Sequence, residues 1–159
     1  MMAELSEKAQ KVQEFLTALG LSVEVKELPQ STRTAQEAAE AIGCAVGQIV
    51  KSLVFRGGQS GKGILVLASG SNRVNEARLA ELAGEPVAKA DASFVRAHTG
   101  FVIGGVPPVG HSSSLETYID QDLLQYAEIW AAAGTPHAVF KISPEELSKI
   151  VPGKIVSII

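Results

Sequence analysis

Lys51 stands inside the run Gln48-Ile49-Val50-Lys51-Ser52-Leu53-Val54-Phe55. Its neighbours are β-branched, aliphatic and aromatic, the composition of a buried strand. Such a strand does not ordinarily carry an ammonium group, because an unpaired buried charge is costly or shifts its pKa. A partner is therefore expected: a carboxylate, a carbonyl, or a phosphate brought by a ligand. Further along the chain comes Gly104-Gly105-Val106-Pro107-Pro108-Val109-Gly110-His111, a loop stiffened by prolines and opened by glycines. Backbone N–H groups in such a loop can hold a carbonyl or an oxyanion. Pro107 and Pro108 have none, so the donors would be the glycines, Val106 or Val109. Together the two segments read as the walls of a site for an anion or an acyl group. A plainer reading of each also stands. The Lys51 stem could lie on apolar surface with its amine in water, and the loop could be only a tight connection.

Other residue patterns offer less chemistry. Gly57-Gly58-Gln59-Ser60-Gly61-Lys62 resembles a phosphate loop only superficially. That loop needs four residues between its first glycine and Gly-Lys-Ser/Thr, and its lysine must open a helix. Here Gly63-Ile64 starts an apolar strand, so a hairpin turn is expected. His98, His111 and His137 are far apart, without the helical spacing of a zinc pair. No Gly-x-Ser-x-Gly elbow is present, and Ser112-Ser113-Ser114 reads as a solvated loop. His111 directly follows the glycine–proline loop and could equally be site-adjacent or a simple loop residue. The single cysteine, Cys44, excludes an internal disulfide and a cysteine zinc site, and reads as a structural thiol.

The elements that must position Lys51 and the loop follow from periodicity. Leu5, Ala9, Val12, Leu16 and Leu19 form a helical stripe, widened by Phe15 and ended by Gly20. Val23 and Val25 alternate with charged residues as a half-exposed strand. Thr34-Ala35-Gln36-Glu37 is a capping box opening a second helix, stopped at Gly43. The Lys51 strand and Ile64–Ala68 then form a hairpin. Ser71-Asn72 precede a third helix closed by Gly84, and Asp91 caps a fourth. Strands are expected at Phe101–Ile103, Thr117–Ile119, Glu128–Ala133, Ala138–Ile142 and Ile155–Ile158. Ser143-Pro144-Glu145-Glu146 opens a last helix. The irregular mixture points to α/β with a mixed sheet, not a doubly wound parallel one.

The chain has 159 residues, 46% hydrophobic and 19% charged, which fits one domain with a full core. Its net charge of −3 argues against a surface coated for long nucleic-acid contacts, though not against a nucleic-acid end entering a pocket. Arg33, Arg56, Lys62, Arg73 and Arg78 are candidates for a local basic rim. No apolar run is long enough for a membrane helix, and the polar, acidic N-terminus lacks the pattern of a signal peptide. A soluble, cytoplasmic protein is expected.

One succession of motifs spans nearly the whole chain. It runs Thr34-Ala35, Ala38-Ala39 and Gly43, then Gln48 to Leu53, then Thr99-Gly100-Phe101 and Gly104 to Gly110, then Ile119-Asp120 and Ala133-Gly134. This resembles the YbaK/ProX family, the aminoacyl-tRNA deacylases similar to the editing domain of bacterial prolyl-tRNA synthetases. The resemblance implies one compact α/β domain over residues 1–159, with a mixed, mainly antiparallel sheet and an N-terminal helix at 3–19. It implies hydrolysis of the ester between a wrong amino acid and the tRNA 3′ acceptor end, by a free-standing, trans-acting protein. The catalytic residues would be Lys51, Gly104 and Gly105. Lys51 would hold the terminal phosphate or polarise the acyl group, and the loop would lie near the ester carbonyl. Substrate-binding positions would be Ser52, Thr99, Gly100, Pro107, Gly110, His111, Ala133 and Gly134. No metal or cofactor is implied. The partners the resemblance implies are aminoacyl-tRNA, of the proline type or a related one, and prolyl-tRNA synthetase.

The chain departs from the cysteinyl-tRNA(Pro) deacylase branch. It has no aspartate on Ala138-Val139-Phe140, and alanine replaces a serine at Ala133. Alanine, serine or another small amino acid is as consistent with the substrate as cysteine. A non-catalytic module that binds aminoacyl-adenosine-like ligands or a protein partner is the alternative, and a generic serine esterase a further one.

Overall fold

The computed structural model describes residues 5–159, so residues 3 and 4 of the expected first helix lie outside the described residues. Helix α1, Glu7–Ala18, buries Ala9, Val12 and Leu16 at helical spacing. Phe15 does not widen that buried stripe. It and Leu19 stay 43% and 42% exposed on the flank, because the face turned to the core is already filled. Strand β1, Val25–Glu27, is followed by α2, Ala35–Ile42, where the Thr34 hydroxyl accepts the Glu37 amide at 3.1 Å. The Glu37 carboxylate accepts from that hydroxyl, also at 3.1 Å, and not from the Thr34 amide, so only half of the expected capping box forms.

A single 3-10 turn, Val46–Gln48, leads into β2, Ile49–Gly57, which pairs antiparallel with β3, Gly63–Ser69. Every residue of β3 is buried. Leu65 and Leu67 join the main core beneath α1, while Ile64, Val66 and Ala68 face a second cluster, the two-residue alternation of a sheet covered on both faces. Each such Leu or Ile contributes about 1.5–3 kcal/mol by leaving water.

Helix α3, Glu76–Ala83, starts later than Ser71-Asn72 suggested. Asn75 is its N-cap, accepting from the Arg78 amide at 3.1 Å, which leaves 71–74 as a loop. Strand β4, Val87–Lys89, has no counterpart in the periodicity, being too short to show one. Helix α4, Ala92–Thr99, is capped by Asp91 as expected. Phe101–Ile103 is not a strand. The Thr99 hydroxyl accepts the Phe101 amide at 3.0 Å and lies 3.2 Å from the Phe101 carbonyl, so these backbone groups are turned to a side chain and not to a neighbouring strand.

The remaining elements are β5 (Glu116–Asp120), a 3-10 segment (Gln121–Gln125), β6 (Ile129–Ala132), β7 (Ala138–Ile142), α5 (Pro144–Ile150) and β8 (Lys154–Val156). Among the described residues the strands form one sheet in the order β1-β7-β6-β2-β3-β5-β8, with β4 also beside β2. Four pairings are antiparallel and three parallel, the mixed and mainly antiparallel sheet expected.

One feature of this sheet positions the site. On the side of β2 away from β3, β6 pairs only with Ile49 and Val50, and β4 only with Phe55, Arg56 and Gly57. Between them, at Lys51–Leu53, no strand among the described residues lies alongside, and the sheet is split open. Ile49 turns its carbonyl toward the β3 side, accepting from Gly70, and Val54 turns its own away, accepting from Ala90. By the same alternation the N–H and C=O of Ser52 face the opening.

Candidate active site

Lys51 sits at this opening, opposite Ala68 of β3. Its Nζ donates to the main-chain carbonyl of Asn72 at 2.5 Å. No carboxylate pairs with it among the described residues. Asn72 is itself held: its Nδ2 donates to Asp120 Oδ2 and to Asp122 Oδ2, both at 2.8 Å. Asp120, 1% exposed, also accepts the amides of Ser69 and Asp122, each at 2.9 Å. A buried carboxylate at the end of β5 thus sets the loop whose carbonyl holds the lysine.

Two adjoining chambers meet at Lys51, Ser52, Leu53, Ile103 and Val106. The first, about 520 Å³, adds Arg73 and Lys89 as cations, with Glu76 the carboxylate on its wall. Burial pushes the Lys51 pKa below the usual lysine value. Arg73 and Lys89 push it the same way, and Asp120 opposes them. The site is short of negative charge. The second chamber, about 280 Å³, has small and apolar walls that include Ala35, Ala131, Trp130 and Val139, with Arg33 and Gly104 also lining it.

Gly104 and Gly105 lie side by side but differ. Gly104 has φ +90°, and a Cβ there would stand 2.5 Å from Arg33 Cγ. The Gly105 amide donates to the Val102 carbonyl at 3.0 Å, and its own carbonyl accepts from Gly134 at 2.9 Å. A Cβ on Gly105 would stand 2.9 Å from Thr135 Cα, so this glycine interlocks the loop with the β6–β7 turn. The amides of Gly104 and Val106 have no acceptor among the described residues, and both residues line the apolar chamber. A half-buried cation, a split sheet edge and the two loop residues with free amides therefore line one groove. Such a groove suits an anionic ester: cations for phosphate, amides for a carbonyl oxygen.

Comparison with known proteins gives the family. The family model described as "Aminoacyl-tRNA editing domain" matches residues 29–150, from before α2 to the end of α5. The chain belongs to this family. A solved structure described as that of a candidate trans-editing enzyme for prolyl-tRNA synthetase is 49% identical, with a TM-score of 0.91, covering 97% of this chain and 98% of its own. The uncharacterized protein YwhH of Bacillus subtilis is 31% identical over 132 residues, 83% of each chain. EbsC of Enterococcus faecalis, named as a candidate Cys-tRNA(Pro)/Cys-tRNA(Cys) deacylase, is 28% identical over 126 residues, 79% of this chain and 76% of its own.

In this editing domain the structure brings together Lys51, Ser52 and Gly104, with Gly105 one residue behind. The other positions singled out from the sequence lie apart from the groove. Thr99, buried, ties the end of α4 by donating to the Val95 carbonyl at 2.7 Å. Thr99, Gly100 and Gly110 line a separate cleft beneath Phe15 and Lys8. Pro107 is buried, and its carbonyl accepts from His111 Nε2 at 2.7 Å. Burial lowers the His111 pKa, against the effect of that hydrogen bond. Ala133 is fully buried beside the turn at Gly134, where a Cβ would stand 2.8 Å from the Lys8 carbonyl.

The residue patterns give no role to Thr32, Asn72, Lys89 or Asp120. Only Asp120 carried a signal, a carboxylate closing the apolar run Tyr118-Ile119, the same anomaly as Lys51. Of the expected basic rim, Arg33 and Arg73 line the groove. Arg56 lies over the Phe94 ring at 5.4 Å, Arg78 donates to the Ser157 carbonyl, and Lys62 pairs with Glu116 at 3.1 Å and Glu85 at 3.6 Å. The Gly57–Gly63 turn is already filled by an internal anion. Glu85 accepts the amides of Gln59 and Ser60 and the Ser60 hydroxyl, which hold its carboxyl down at about 2.

His98 stacks on Phe94, and His137 Nδ1 donates to the Gln30 carbonyl at 2.9 Å. Among the described residues no cluster of three His, Cys, Asp or Glu side chains could hold a metal ion, and no helix is long and apolar enough to cross a membrane.

Proposed function

We propose that this editing domain hydrolyses the ester of mischarged aminoacyl-tRNA, acting in trans on a tRNA carrying a small amino acid. The observation that carries the reading is Lys51, held by a carbonyl and not by a carboxylate, between a cationic chamber and an apolar one. The terminal phosphate and adenosine of the tRNA would enter the chamber of Lys51, Arg73 and Lys89. The ester carbonyl would accept from the Gly104 or Val106 amide, and the Ser52 carbonyl at the sheet opening would accept from the α-ammonium group. Water then attacks the carbonyl carbon, the bond to the ribose oxygen breaks, and that oxygen takes the proton. The products are a free amino acid and uncharged tRNA.

The residues supply position and electrostatic stabilisation. An aminoacyl ester is already activated, so this is enough. The similarity to a candidate trans-editing enzyme for prolyl-tRNA synthetase supports proline tRNA or a related tRNA, that synthetase as a partner, and work in the cytoplasm where charged tRNA is made. The reading takes residues 1–159 as one editing domain.

The test is single-turnover hydrolysis of a panel of mischarged tRNAs by wild type and Lys51→Ala. Loss of roughly a hundredfold in the variant is expected, the scale of removing one electrostatic donor from an active site. A Lys51→Ala variant as active as wild type overturns the mechanism. Tight binding with no turnover of any charged tRNA would make the domain a binding module instead.

A further inference from the structure

Among the described residues, the buried side-chain polar atoms without a hydrogen-bond partner are the hydroxyls of Thr32 and Ser52. Both residues line the same apolar chamber of the groove. Thr32 is 5% exposed, and its backbone is anchored by donation to the Pro136 carbonyl, so the hydroxyl stands on a fixed support. Buried hydroxyls are nearly always paired, since leaving one unpaired is costly. Both oxygens are enclosed, on residues of one small cavity whose other walls are mostly alanine, valine and isoleucine beside Trp130, Arg33, Thr34 and Lys51. The two orphans are explained if a ligand side chain entering the cavity opens the packing over them and brings the missing partner.

We infer that the second chamber selects a hydroxylated side chain, so that the preferred substrates are seryl and threonyl esters over alanyl and cysteinyl ones. The inference rests on the editing reading, because the chamber adjoins the groove assigned there to the ester. A substrate hydroxyl that reaches both would donate to one protein hydroxyl and accept from the other, completing both. An alanyl methyl leaves both unpaired, and a thiol is only a weak donor and acceptor. A pocket built to bond a hydroxyl rejects the analogue that lacks it far more strongly than a purely apolar pocket rejects an added hydroxyl. That asymmetry gives the order of preference.

Two measurements test it. The first is binding of non-hydrolysable amide analogues, 3′-serylamino- and 3′-alanylamino-adenosine, to wild type, Thr32→Val, Ser52→Ala and the double variant. The second is hydrolysis of seryl- and alanyl-tRNA carrying the same tRNA body. A seryl preference of at least about thirtyfold is expected in wild type, falling by about tenfold or more in each single variant and toward unity in the double one. The seryl-to-alanyl ratio is the readout. Both substitutions remove an unpaired buried hydroxyl, so melting temperature is expected not to fall, which separates loss of selectivity from loss of fold. Equal or stronger binding of the alanyl analogue by wild type, or a ratio unchanged in the double variant, overturns the inference. If neither ester is hydrolysed while the seryl analogue still binds preferentially, the hydrolytic reading fails and the selective chamber stands.

Discussion

Lys51 donates to the Asn72 main-chain carbonyl at 2.5 Å, while the Asn72 side chain reaches back to the buried carboxylate of Asp120 at 2.8 Å. The lysine is thereby oriented by a neutral acceptor. A carboxylate in direct contact would have neutralised its charge and competed with any incoming phosphate. Through Asn72, Asp120 can fix the geometry while the ammonium keeps its charge and its remaining protons for a ligand.

The depressed Lys51 pKa makes anion binding pH-sensitive. Burial disfavours the charged form, so the ammonium loses its proton at a pH below the ordinary lysine value of 10.5. Affinity for adenosine 5′-monophosphate, a probe of the cationic chamber, is expected to fall as pH rises through that lowered pKa. Lys51→Arg should move the fall to higher pH, since guanidinium keeps its proton. In stability the sign is opposite. Over the window between the lowered pKa and 10.5 the unfolded chain holds more protons, so this group makes stability rise with pH. Titration of binding by calorimetry, beside denaturant melts across the same range, checks both directions.

Asp120→Asn places an NH₂ group among three donors: the Ser69 amide, the Asp122 amide and Asn72 Nδ2. At least one of these loses its acceptor in a buried site. A stability loss of about 1–3 kcal/mol is expected in urea unfolding. Below the melting transition, hydrolysis should also drop, because the Asn72 carbonyl that aims Lys51 is no longer set. Unchanged stability would show that the network is slack.

Arg73 and Lys89 share the larger chamber with Lys51. If each meets a phosphate of the single-stranded tRNA end, substitution by alanine should flatten the dependence of log K on log salt by about 0.7 per lost contact. The measurement is binding of uncharged tRNA over a salt series. Lys62→Ala should leave the slope in place, since Lys62 is engaged by Glu116 and Glu85.

Gly105→Ala brings a methyl to 2.9 Å from the Thr135 backbone, which cannot swing aside as a flexible side chain would. Overpacking of this kind costs about 1–3 kcal/mol. The displaced loop would carry the free Gly104 and Val106 amides with it, so hydrolysis should fall as well as melting temperature. Wild-type stability in this variant would mean that the β6–β7 turn yields.

The N-cap at Thr34, the stop at Gly43, the hairpin around Lys51 and the Ser143-Pro144 helix start were legible from residue order, because each depends on neighbours a few positions apart. The anomaly of Lys51 was legible for the same reason: a charge among Ile49, Val50, Leu53 and Val54 contradicts its own strand. Other features required distant residues to meet. Nothing local shows that β6 and β4 each pair with only part of β2, or that Thr32 and Ser52 line one chamber. Asn72 came to Lys51 only when β3 and β5 were packed in register. The Phe101–Ile103 run is not a strand, because the Phe101 backbone groups are turned to the Thr99 hydroxyl. Thr99, Gly100 and Gly110, which the family motif sets beside the loop glycines, line a different cleft. Local propensity and pattern act through the chain's own neighbours, whereas a site is a set of distances between strands, and those are decided by which edges pair and which are left open.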